Sequence, residues 1–223
     1  MTILVTGATR GIGRALVIEA RARGLPVIGT HRGRAPDAGP DLAGVEWQAL
    51  EITDPEAHRA LAARLAGRPL AGLICNAGVL LDGQESLETG YPADLWARMF
   101  AVNVTGVFLT IQALLPNLRA GPGKIAIISS GMGSSTRAQG GNLIYRATKA
   151  AVLNLGRNLG MDLAASGIPV GIYDPGWVQT DMGGTAARLE PARSAAGLLD
   201  RLAALSPATS GCFETWDGRP QPF

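Results

Sequence analysis

Short apolar segments alternate along the chain with longer segments in which apolar residues recur at helical spacing. The apolar segments have the length and the β-branched content of strands, and they lie at 2–6, 26–30, 45–49, 71–75, 124–129, 169–174 and 211–217. The segments of helical period lie at 11–24, 55–67, about 92–119, about 142–165 and near 185–205. Strands that are apolar on both faces and separated by helices predict an α/β fold, in which a doubly wound parallel sheet of about seven strands lies between two layers of helices.

The connection between the second and third strands does not follow this pattern. Residues 31–44 contain Pro36, Pro40 and several glycines, and these residue types interrupt helices. We therefore expect a loop with at most one helical turn, which would leave this part of the sheet thinly covered.

Composition and charge narrow the class of protein. The 223 residues, 47% of them hydrophobic, suffice for one domain with a buried core. We expect a single domain over 1–223, with substrate-site loops at about 80–96 and 183–192. A net charge of +2 that is spread along the chain does not favour a nucleic-acid partner. No signal-peptide pattern and no apolar run near the roughly 18 residues that span a bilayer are found, so we expect a cytoplasmic protein without a membrane segment.

The residue types that most often bind metals are sparse. Cys75 and Cys212 are the only cysteines, and no metal-ligand spacing is present, so we expect no metal site. His31 and His58 are isolated in the sequence, and we expect each to be a solvated histidine rather than a ligand or a base.

A glycine-rich segment, TGATRGIG at 6–13, follows the first strand and opens the first helix. Gly7 allows a tight turn there, and Gly11 and Gly13 allow backbone N–H groups and the helix N-terminus to approach a pyrophosphate. This context favours a dinucleotide-binding loop. The alternative is a tight strand-to-helix turn that binds nothing.

The end of the second strand bears on the choice of dinucleotide. Folds that bind NAD usually place Asp or Glu there to accept the ribose 2′-hydroxyl, whereas this chain reads IGTHRGR. Thr30, Arg32 and Arg34 stand at that end, and Arg10 comes from the glycine loop. Since a 2′-phosphate suits guanidinium donors, we expect NADP(H) to be favoured over NAD(H). The alternative is that these arginines only solubilise a loop.

Six motifs, in this order and spacing, resemble those of the short-chain dehydrogenases/reductases of the small single-domain type. They are TGATRGIG at 6–13, NAG at 76–78, Asn103 in MFAVNVTGVFLT, IISS at 127–130, YRATK at 145–149 and DPGWVQTDM at 174–182. The strings YRATKAAVLN, GWVQTDMGG and CFETWDG are more narrowly similar to the subgroup of sniffer-like carbonyl reductases and C-factor-like bacterial proteins. The resemblance implies a Rossmann-type fold.

Tyr145 and Lys149 are four residues apart and would share one face of a helix. A free tyrosine has a pKa near 10 and is a poor acid or base at neutral pH, but a nearby ammonium stabilises the phenolate and lowers that pKa. Tyr145 could then donate a proton to a carbonyl oxygen, or remove one from an alcohol in the reverse reaction. On spacing alone, the pair could equally share the face of a surface helix.

The resemblance implies a catalytic set of Asn103, Ser130, Tyr145 and Lys149. It implies that Lys149 also holds the hydroxyls of the nicotinamide ribose, that Ser130 hydrogen-bonds the substrate oxygen, and that Asn103 organises a water. The complete set of expected cofactor-binding residues is Gly7, Thr9, Arg10, Gly11, Ile12, Gly13, Arg32, Asn76, Ala77, Gly78, Tyr145, Lys149, Pro175, Gly176, Val178 and Thr180.

The chain departs from the family pattern in several places. The spacing between Ser130 and Tyr145 is longer than is common in the family, so we expect 134–142 to bulge over the substrate side. Ser130 is preferred to Ser129 because Gly133 follows it. Asp54 could bound the adenine pocket, although Glu51 occupies the place where the family often has Asp. Asp174 stands before Pro175, where relatives often have His or Asn, and the sequence gives no account of it.

These observations favour an NADPH-dependent reductase that converts a ketone or aldehyde to an alcohol. Leu80, Met132, Leu143 and Trp177 predict an apolar substrate pocket. The resemblance implies a homodimer or homotetramer that forms through the helices at 92–119 and 142–165. The alternative is a dinucleotide-sensing or signalling protein on the same fold. An epimerase or dehydratase would need a larger C-terminal substrate domain than the short segment that follows Thr180.

Overall fold

Seven strands form the centre of the structure, a computed structural model that describes residues 2–37 and 39–223. The predicted domain and the predicted loop include Met1 and Ala38, which lie outside the described residues. The strands are β1 Thr2–Val5, β2 Val27–His31, β3 Glu46–Ala49, β4 Leu70–Cys75, β5 Ile125–Ile128, β6 Val170–Asp174 and β7 Phe213–Thr215. All pairings are parallel, in the order β3-β2-β1-β4-β5-β6-β7, which confirms the predicted sheet.

Helices cover both faces of this sheet. They are α1 Gly11–Ala22, α2 Pro55–Arg64, α3 Ala93–Phe100, α4 Gly106–Arg119, α5 Leu143–Asp162 and α6 Pro191–Ala204. Residues of α2, α4 and α5 pack on one face of the strands, and residues of α1 and α6 pack on the other. The strand order reverses next to β1, because the chain leaves β1 toward β2 and later returns to β4 on the opposite side. In open α/β sheets, the crevice at such a reversal, beyond the carboxyl ends of the strands, is where ligands bind.

The connection between β2 and β3 contains little regular structure. Among its described residues only the 3-10 turn Pro40–Leu42 is helical, as the two prolines predicted. Leu42 is buried and joins the apolar cluster below α1.

The segment predicted as one helix at 92–119 is interrupted by a π-helical turn, Ala101–Thr105, between α3 and α4. The whole run Ala93–Arg119 contains an 18-residue window with a mean hydropathy of 1.6, so by length and composition it could cross a membrane. This corrects the expectation that no segment approaches that length. The apolar residues of α4 pack on the sheet within the chain, and buried Asn117 donates hydrogen bonds to the carbonyl oxygens of Leu65 and Arg68. These contacts are typical of a core helix.

Two sequence expectations are wrong in detail. Helix α6 begins at Pro191 rather than near 185, because proline fits the first turn of a helix. His58 in α2 is buried rather than solvated, and its Nε2 lies 3.0 Å from the carbonyl oxygen of Ile52.

Candidate active site

The glycine loop between β1 and α1 leaves no room for side chains at Gly7 and Gly13. Gly7 and Gly11 have positive φ angles of 64° and 54°, which favour glycine. A Cβ on Gly7 would lie 3.0 Å from Cα of Ala77, and one on Gly13 would overlap the carbonyl oxygen of Gly7. The loop is therefore pressed directly against the end of β4.

Hydrogen bonds fasten the loop to β4. The Thr6 hydroxyl accepts from the backbone N–H groups of Asn76 and Ala77, each at 3.0 Å. The Asn76 side chain donates to the carbonyl oxygens of Thr6 and Gly7, at 2.9 and 3.2 Å. Asn76, predicted as a cofactor contact, thus holds the shape of the loop with its own amide.

The N-terminus of α1 suits an anionic group. Arg10 precedes the helix in an extended conformation, no side chain caps it, and its first turn has no acidic residue. Uncapped N–H groups and the helix dipole attract phosphate. The donors present here therefore fit the pyrophosphate of a dinucleotide.

A cavity of about 260 Å³ lies beside this loop. It is lined by Gly7 and residues 9–13, by the strand-end residues 30–32, 50–52 and 76–79, and by side chains from α5 and the segment after β6. Every residue predicted to bind the cofactor lines this cavity except Gly176 and Val178, which line a neighbouring cavity. The structure thus brings the predicted cofactor residues together at two adjoining cavities.

The arginines predicted to favour NADP(H) already have acidic neighbours. Arg10 Nη1 lies 2.6 Å from Asp181, and Arg32 Nε lies 3.9 Å from Glu51. Sequence reasoning did not place Glu51 opposite Arg32, although the parallel pairing of β2 with β3 brings the two strand ends together. Asp54 does not line the cavity, because its carboxylate caps α2 by accepting from Glu56 N–H at 2.8 Å.

Tyr145 and Lys149 lie on the first turns of α5, and both side chains are buried. Lys149 Nζ lies 5.5 Å from the centre of the Tyr145 ring and donates to the carbonyl oxygen of Ile128 at 2.9 Å. The Tyr145 hydroxyl lies 3.9 Å from Sδ of Met182, which covers it from the loop after β6.

Burial dominates the titration of this pair. It raises the pKa of Tyr145, a hydrogen bond with Ser130 acts in the opposite direction, and the charges of Asp174 and Asp82 raise it further. Burial also lowers the pKa of Lys149 to about 8, while Asp174 acts to raise it. The expectation that Lys149 lowers the Tyr145 pKa is therefore not met in the protein alone, because desolvation of the phenolate outweighs the distant ammonium.

The two serines after β5 have different surroundings. Ser129 is buried, and its hydroxyl donates to the carbonyl oxygen of Lys149 at 3.1 Å. Ser130 is half-buried and lines the neighbouring cavity together with Tyr145. Its hydroxyl oxygen accepts from the N–H of Met132 at 3.1 Å. Of the two, Ser130 lines the neighbouring cavity, whereas Ser129 lines the cavity beside the glycine loop.

Asn103 lies in the π-helical turn and is buried. Its amide oxygen accepts from Val79 N–H at 2.8 Å, and its amide nitrogen donates to Val79 O at 2.8 Å and to the Thr148 hydroxyl at 3.0 Å. Asn103 therefore connects the end of β4 to α5 one turn from Tyr145.

Asp82 is a site residue that sequence reasoning missed. Its buried carboxylate accepts from the N–H groups of Ile144 and Tyr145, at 2.8 and 3.1 Å. Asn142, which precedes α5, has a positive φ of 46° and makes no side-chain cap. Asp82 therefore caps α5 from a segment that is distant in the sequence. Residues 80–96, expected to frame the substrate, line neither cavity.

Asp174, whose role could not be predicted from the sequence, shapes the turn after β6. One carboxylate oxygen accepts from the Gly176 N–H at 3.0 Å, and Gly176 has a φ of 81°. The side chain thus fixes the turn that carries Pro175 beside the cofactor cavity.

The neighbouring cavity, of about 520 Å³, also contains Tyr145 in its wall. Met132 and Trp177 line it as predicted, whereas Leu80 and Leu143 do not. Arg137, Arg146 and Asp174 contribute charged groups to the same wall. The expected apolar pocket is therefore an incomplete description, because the bulge at 134–142 brings in polar side chains.

Comparisons with known proteins agree with this geometry. The model of the short chain dehydrogenase family matches residues 1–190, and the chain belongs to that family. It is 35% identical to 1-hydroxy-2-glutathionyl-2-methyl-3-butene dehydrogenase of Rhodococcus sp. (strain AD45), over 97% of each chain. It is 37% identical to C-signal of Myxococcus xanthus, over 74% of this chain and 99% of that protein.

A solved structure extends the comparison to the whole fold. The NADPH-bound carbonyl reductase from chicken fatty liver superimposes with a TM-score of 0.89 at 32% identity, covering 100% of this chain and 98% of the other. The family prediction is confirmed, and the similarities to C-signal and to a carbonyl reductase agree with the predicted subgroup.

Proposed function

We propose that the protein is an NADPH-dependent reductase that converts a ketone or an aldehyde to an alcohol. The observation that carries this proposal is the position of Tyr145, whose side chain lines both cavities. One of these cavities is also lined by the glycine loop and Lys149, and the other is also lined by Ser130. A carbonyl oxygen beside Tyr145 would therefore lie next to the dinucleotide site.

The cofactor residues form three groups. The glycine loop, the uncapped start of α1 and Arg10 would hold phosphate. Asn76, Ala77 and Gly78 would border the nucleosides, and Pro175, Gly176, Val178 and Thr180 would border the nicotinamide end. When bound, NADPH supplies the hydride.

The side chains at the junction supply the proton and orient the substrate. The Tyr145 hydroxyl donates its proton to the carbonyl oxygen, and it removes the alcohol proton in the reverse direction. Ser130 donates a hydrogen bond to the same oxygen. Lys149 keeps a positive charge near the Tyr145 ring and holds ribose hydroxyls, and Asn103 positions α5 through Thr148 and Val79.

Replacing Tyr145 tests this proposal. Tyr145→Phe keeps the ring and removes the proton donor, so kcat should fall by about 10²- to 10⁴-fold, while NADPH binding, measured by fluorescence titration, stays within about threefold of the wild type. Near-normal turnover in this variant would show the proposed mechanism to be wrong. A wild-type protein that binds NADPH but reduces no compound in a panel of aromatic, aliphatic and quinone carbonyls would favour the dinucleotide-sensing alternative.

Cofactor preference depends on Arg32, whose Nε lies 3.9 Å from the Glu51 carboxylate. We expect a higher kcat/KM with NADPH than with NADH, and a smaller ratio in Arg32→Ala. A clear preference of the wild type for NADH would contradict the arginine argument.

Three further expectations belong to this proposal. The chain acts as a single domain, in which the segment after β6 closes on the substrate. It works in the cytoplasm on a small carbonyl or alcohol compound. It associates as a homodimer or homotetramer through α3, α4 and α5, and light scattering in solution measures that assembly.

A further inference from the structure

We propose that the neighbouring cavity, which is lined by Ser130 and Tyr145, recognises a carbonyl compound that also carries a carboxylate. Arg137 and Arg146 bind this carboxylate. The inference rests on the proposed function, since Tyr145 is taken to act on the carbonyl oxygen in the same cavity. It replaces the expectation of a purely apolar substrate with a defined chemical class.

Both arginines line the cavity that contains Tyr145 and Ser130. Among the described residues, neither forms an ion pair. Of the described residues in the lining, Asp174 is the one that is acidic, and one of its oxygens is engaged by Gly176 N–H. Two guanidinium groups against one carboxylate leave this wall with a positive charge that an anionic substrate would balance.

Arg146 is held in place by neutral acceptors. Its Nε donates to the carbonyl oxygens of Gly140 and Gly141, each at 3.0 Å, and its Nη1 lies 3.5 Å from Met132 O. A guanidinium has five N–H donors, so the remaining ones are available while the group itself is already oriented. Such preorganised donors suit the two oxygens of a carboxylate.

Arg137 ends a short 3-10 turn, Ser135–Arg137, whose middle residue is anchored. Thr136 donates from its N–H and its hydroxyl to the carbonyl oxygen of Phe223, at 3.2 and 2.7 Å. The Phe223 ring in turn packs on Phe213 and Arg157. The exposed Arg137 side chain therefore extends from a fixed backbone.

The lining of the cavity also indicates which kind of chemical group connects the carbonyl and the carboxylate of the substrate. Met132 and Trp177 supply apolar surface to the same cavity wall as the two arginines and Tyr145. A flat or apolar spacer between carbonyl and carboxylate would contact these side chains.

Two aldehydes that differ only in charge test the proposal. With NADPH saturating, 4-formylbenzoate should have a kcat/KM about ten- to hundredfold above that of its methyl ester, which is the range for a hydrogen bond to a charged group. Arg137→Gln and Arg146→Gln should each reduce this ratio about tenfold or more, because kcat/KM for the acid falls more than kcat/KM for the ester. Arg137→Lys should retain part of the preference, and Arg119→Gln, on the far end of α4, should retain all of it.

The outcomes separate this proposal from the function on which it rests. Equal kcat/KM values for acid and ester in the wild type, or equal losses for both in the arginine variants, would overturn the carboxylate site while the reductase stands. If neither these aldehydes nor any carbonyl of the wider panel is reduced, the proposed function fails, and calorimetry of 4-formylbenzoate with the protein alone tests whether the carboxylate site exists. Binding that weakens about tenfold in Arg137→Gln supports it, and binding that does not change overturns it.

Discussion

The two cavities that meet at Tyr145 are built in different ways. The dinucleotide side consists of strand ends and a glycine loop, fastened by hydrogen bonds of Thr6 and Asn76 to the backbone. The substrate side consists of loops that follow β5 and β6, where Trp177 is 61% exposed and Met182 is 45% exposed. The first is fixed by backbone contacts without spare volume, and the second depends on side chains that solvent can reach.

The difference determines what each side tolerates. A methyl group added at Gly7 or Gly13 has to move backbone, because its nearest neighbours include main-chain atoms of Ala77 or of Gly7. A changed side chain on the substrate side can rotate into solvent. We therefore expect substitutions on the dinucleotide side to affect affinity and folding strongly, and those on the substrate side to affect selectivity.

The largest expected effect tests the rigid side. In Gly13→Ala the new Cβ would overlap the carbonyl oxygen of Gly7 and lie 2.5 Å from the Asn76 amide, so the loop must shift. A displacement of this size should weaken NADPH binding roughly hundredfold and lower the stability by about 1–3 kcal/mol. Fluorescence titration and urea unfolding measure the two quantities.

Gly39→Ala is the matched control for this substitution. A Cβ at Gly39 meets no atom within 4 Å, and its φ is −66°. Wild-type affinity in Gly13→Ala would mean that the loop is more adaptable than its packing indicates.

The next prediction concerns Asp82, whose carboxylate accepts from the N–H of Tyr145, the residue at which the two cavities meet. Asp82→Ala leaves the N–H groups of Ile144 and Tyr145 without their acceptor, which should lower the free energy of unfolding by about 1–3 kcal/mol. Because Tyr145 itself is released, kcat should fall as well. Urea unfolding and steady-state kinetics measure these effects.

Asp54→Ala provides the comparison, since Asp54 caps α2 away from Tyr145. It should lose about 0.5–2 kcal/mol of stability and keep the wild-type kcat. Equal kcat values for Asp54→Ala and Asp82→Ala would reduce Asp82 to an ordinary helix cap.

A smaller effect follows from the burial of Lys149, whose pKa falls from 10.5 to about 8. Between these two values the unfolded chain binds a proton that the folded chain has lost, so stability rises with pH above about 8, by up to about 1.4 kcal/mol per pH unit. Cys75 opposes this trend at higher pH, because burial raises its thiol pKa above 9.0. Urea unfolding of the protein without cofactor at pH 7.5 and pH 9 measures the contribution of Lys149 to the free energy of unfolding.

Lys149→Met should abolish this rise, and it should be more stable than the wild type at pH 7.5. A wild-type stability that is flat or falling between the two pH values would mean that Lys149 stays protonated in the fold.

The smallest effect is expected on the substrate side. Trp177 donates from Nε1 to the Gly183 carbonyl oxygen at 2.7 Å and is otherwise largely exposed. Trp177→Phe should change the free energy of unfolding by less than about 0.5 kcal/mol, while KM for the carbonyl substrate rises several-fold and the NADPH affinity stays constant. A loss of NADPH affinity equal to that in Gly13→Ala would remove the distinction between the two sides.

Local patterns in the sequence predicted the elements and the dinucleotide side well. Apolar runs marked the strands, and the two prolines before β3 marked the missing crossover helix. The glycine loop could be recognised because its function depends on backbone geometry that only a short motif of small residues allows. The π-helical turn at Asn103 left no signal, since its residues are also compatible with a regular helix.

The contacts that could not be predicted join distant parts of the chain. Asp82 meets the start of α5 from a loop that follows β4, and Arg137 depends on the contact of Thr136 with Phe223. The Tyr145 pKa could not be predicted either, because it depends on how deeply the fold buries the ring. Spacing alone gives the partners of a titratable group only within one helix or one strand pair.

The cap by Asp82 has a consequence for the redesign of this protein. Substrate range in an enzyme of this architecture is an obvious target for loop exchange, and residues 80–96 look like a surface segment that could be replaced freely. Since Asp82 sets where α5 begins, a transplanted loop without an acceptor at this position would displace Tyr145, the proposed proton donor, together with the loop. A chimera library should therefore keep Asp82 and the proposed cofactor residues Gly176, Val178 and Thr180 fixed, and vary the other positions of 134–142 and 176–190.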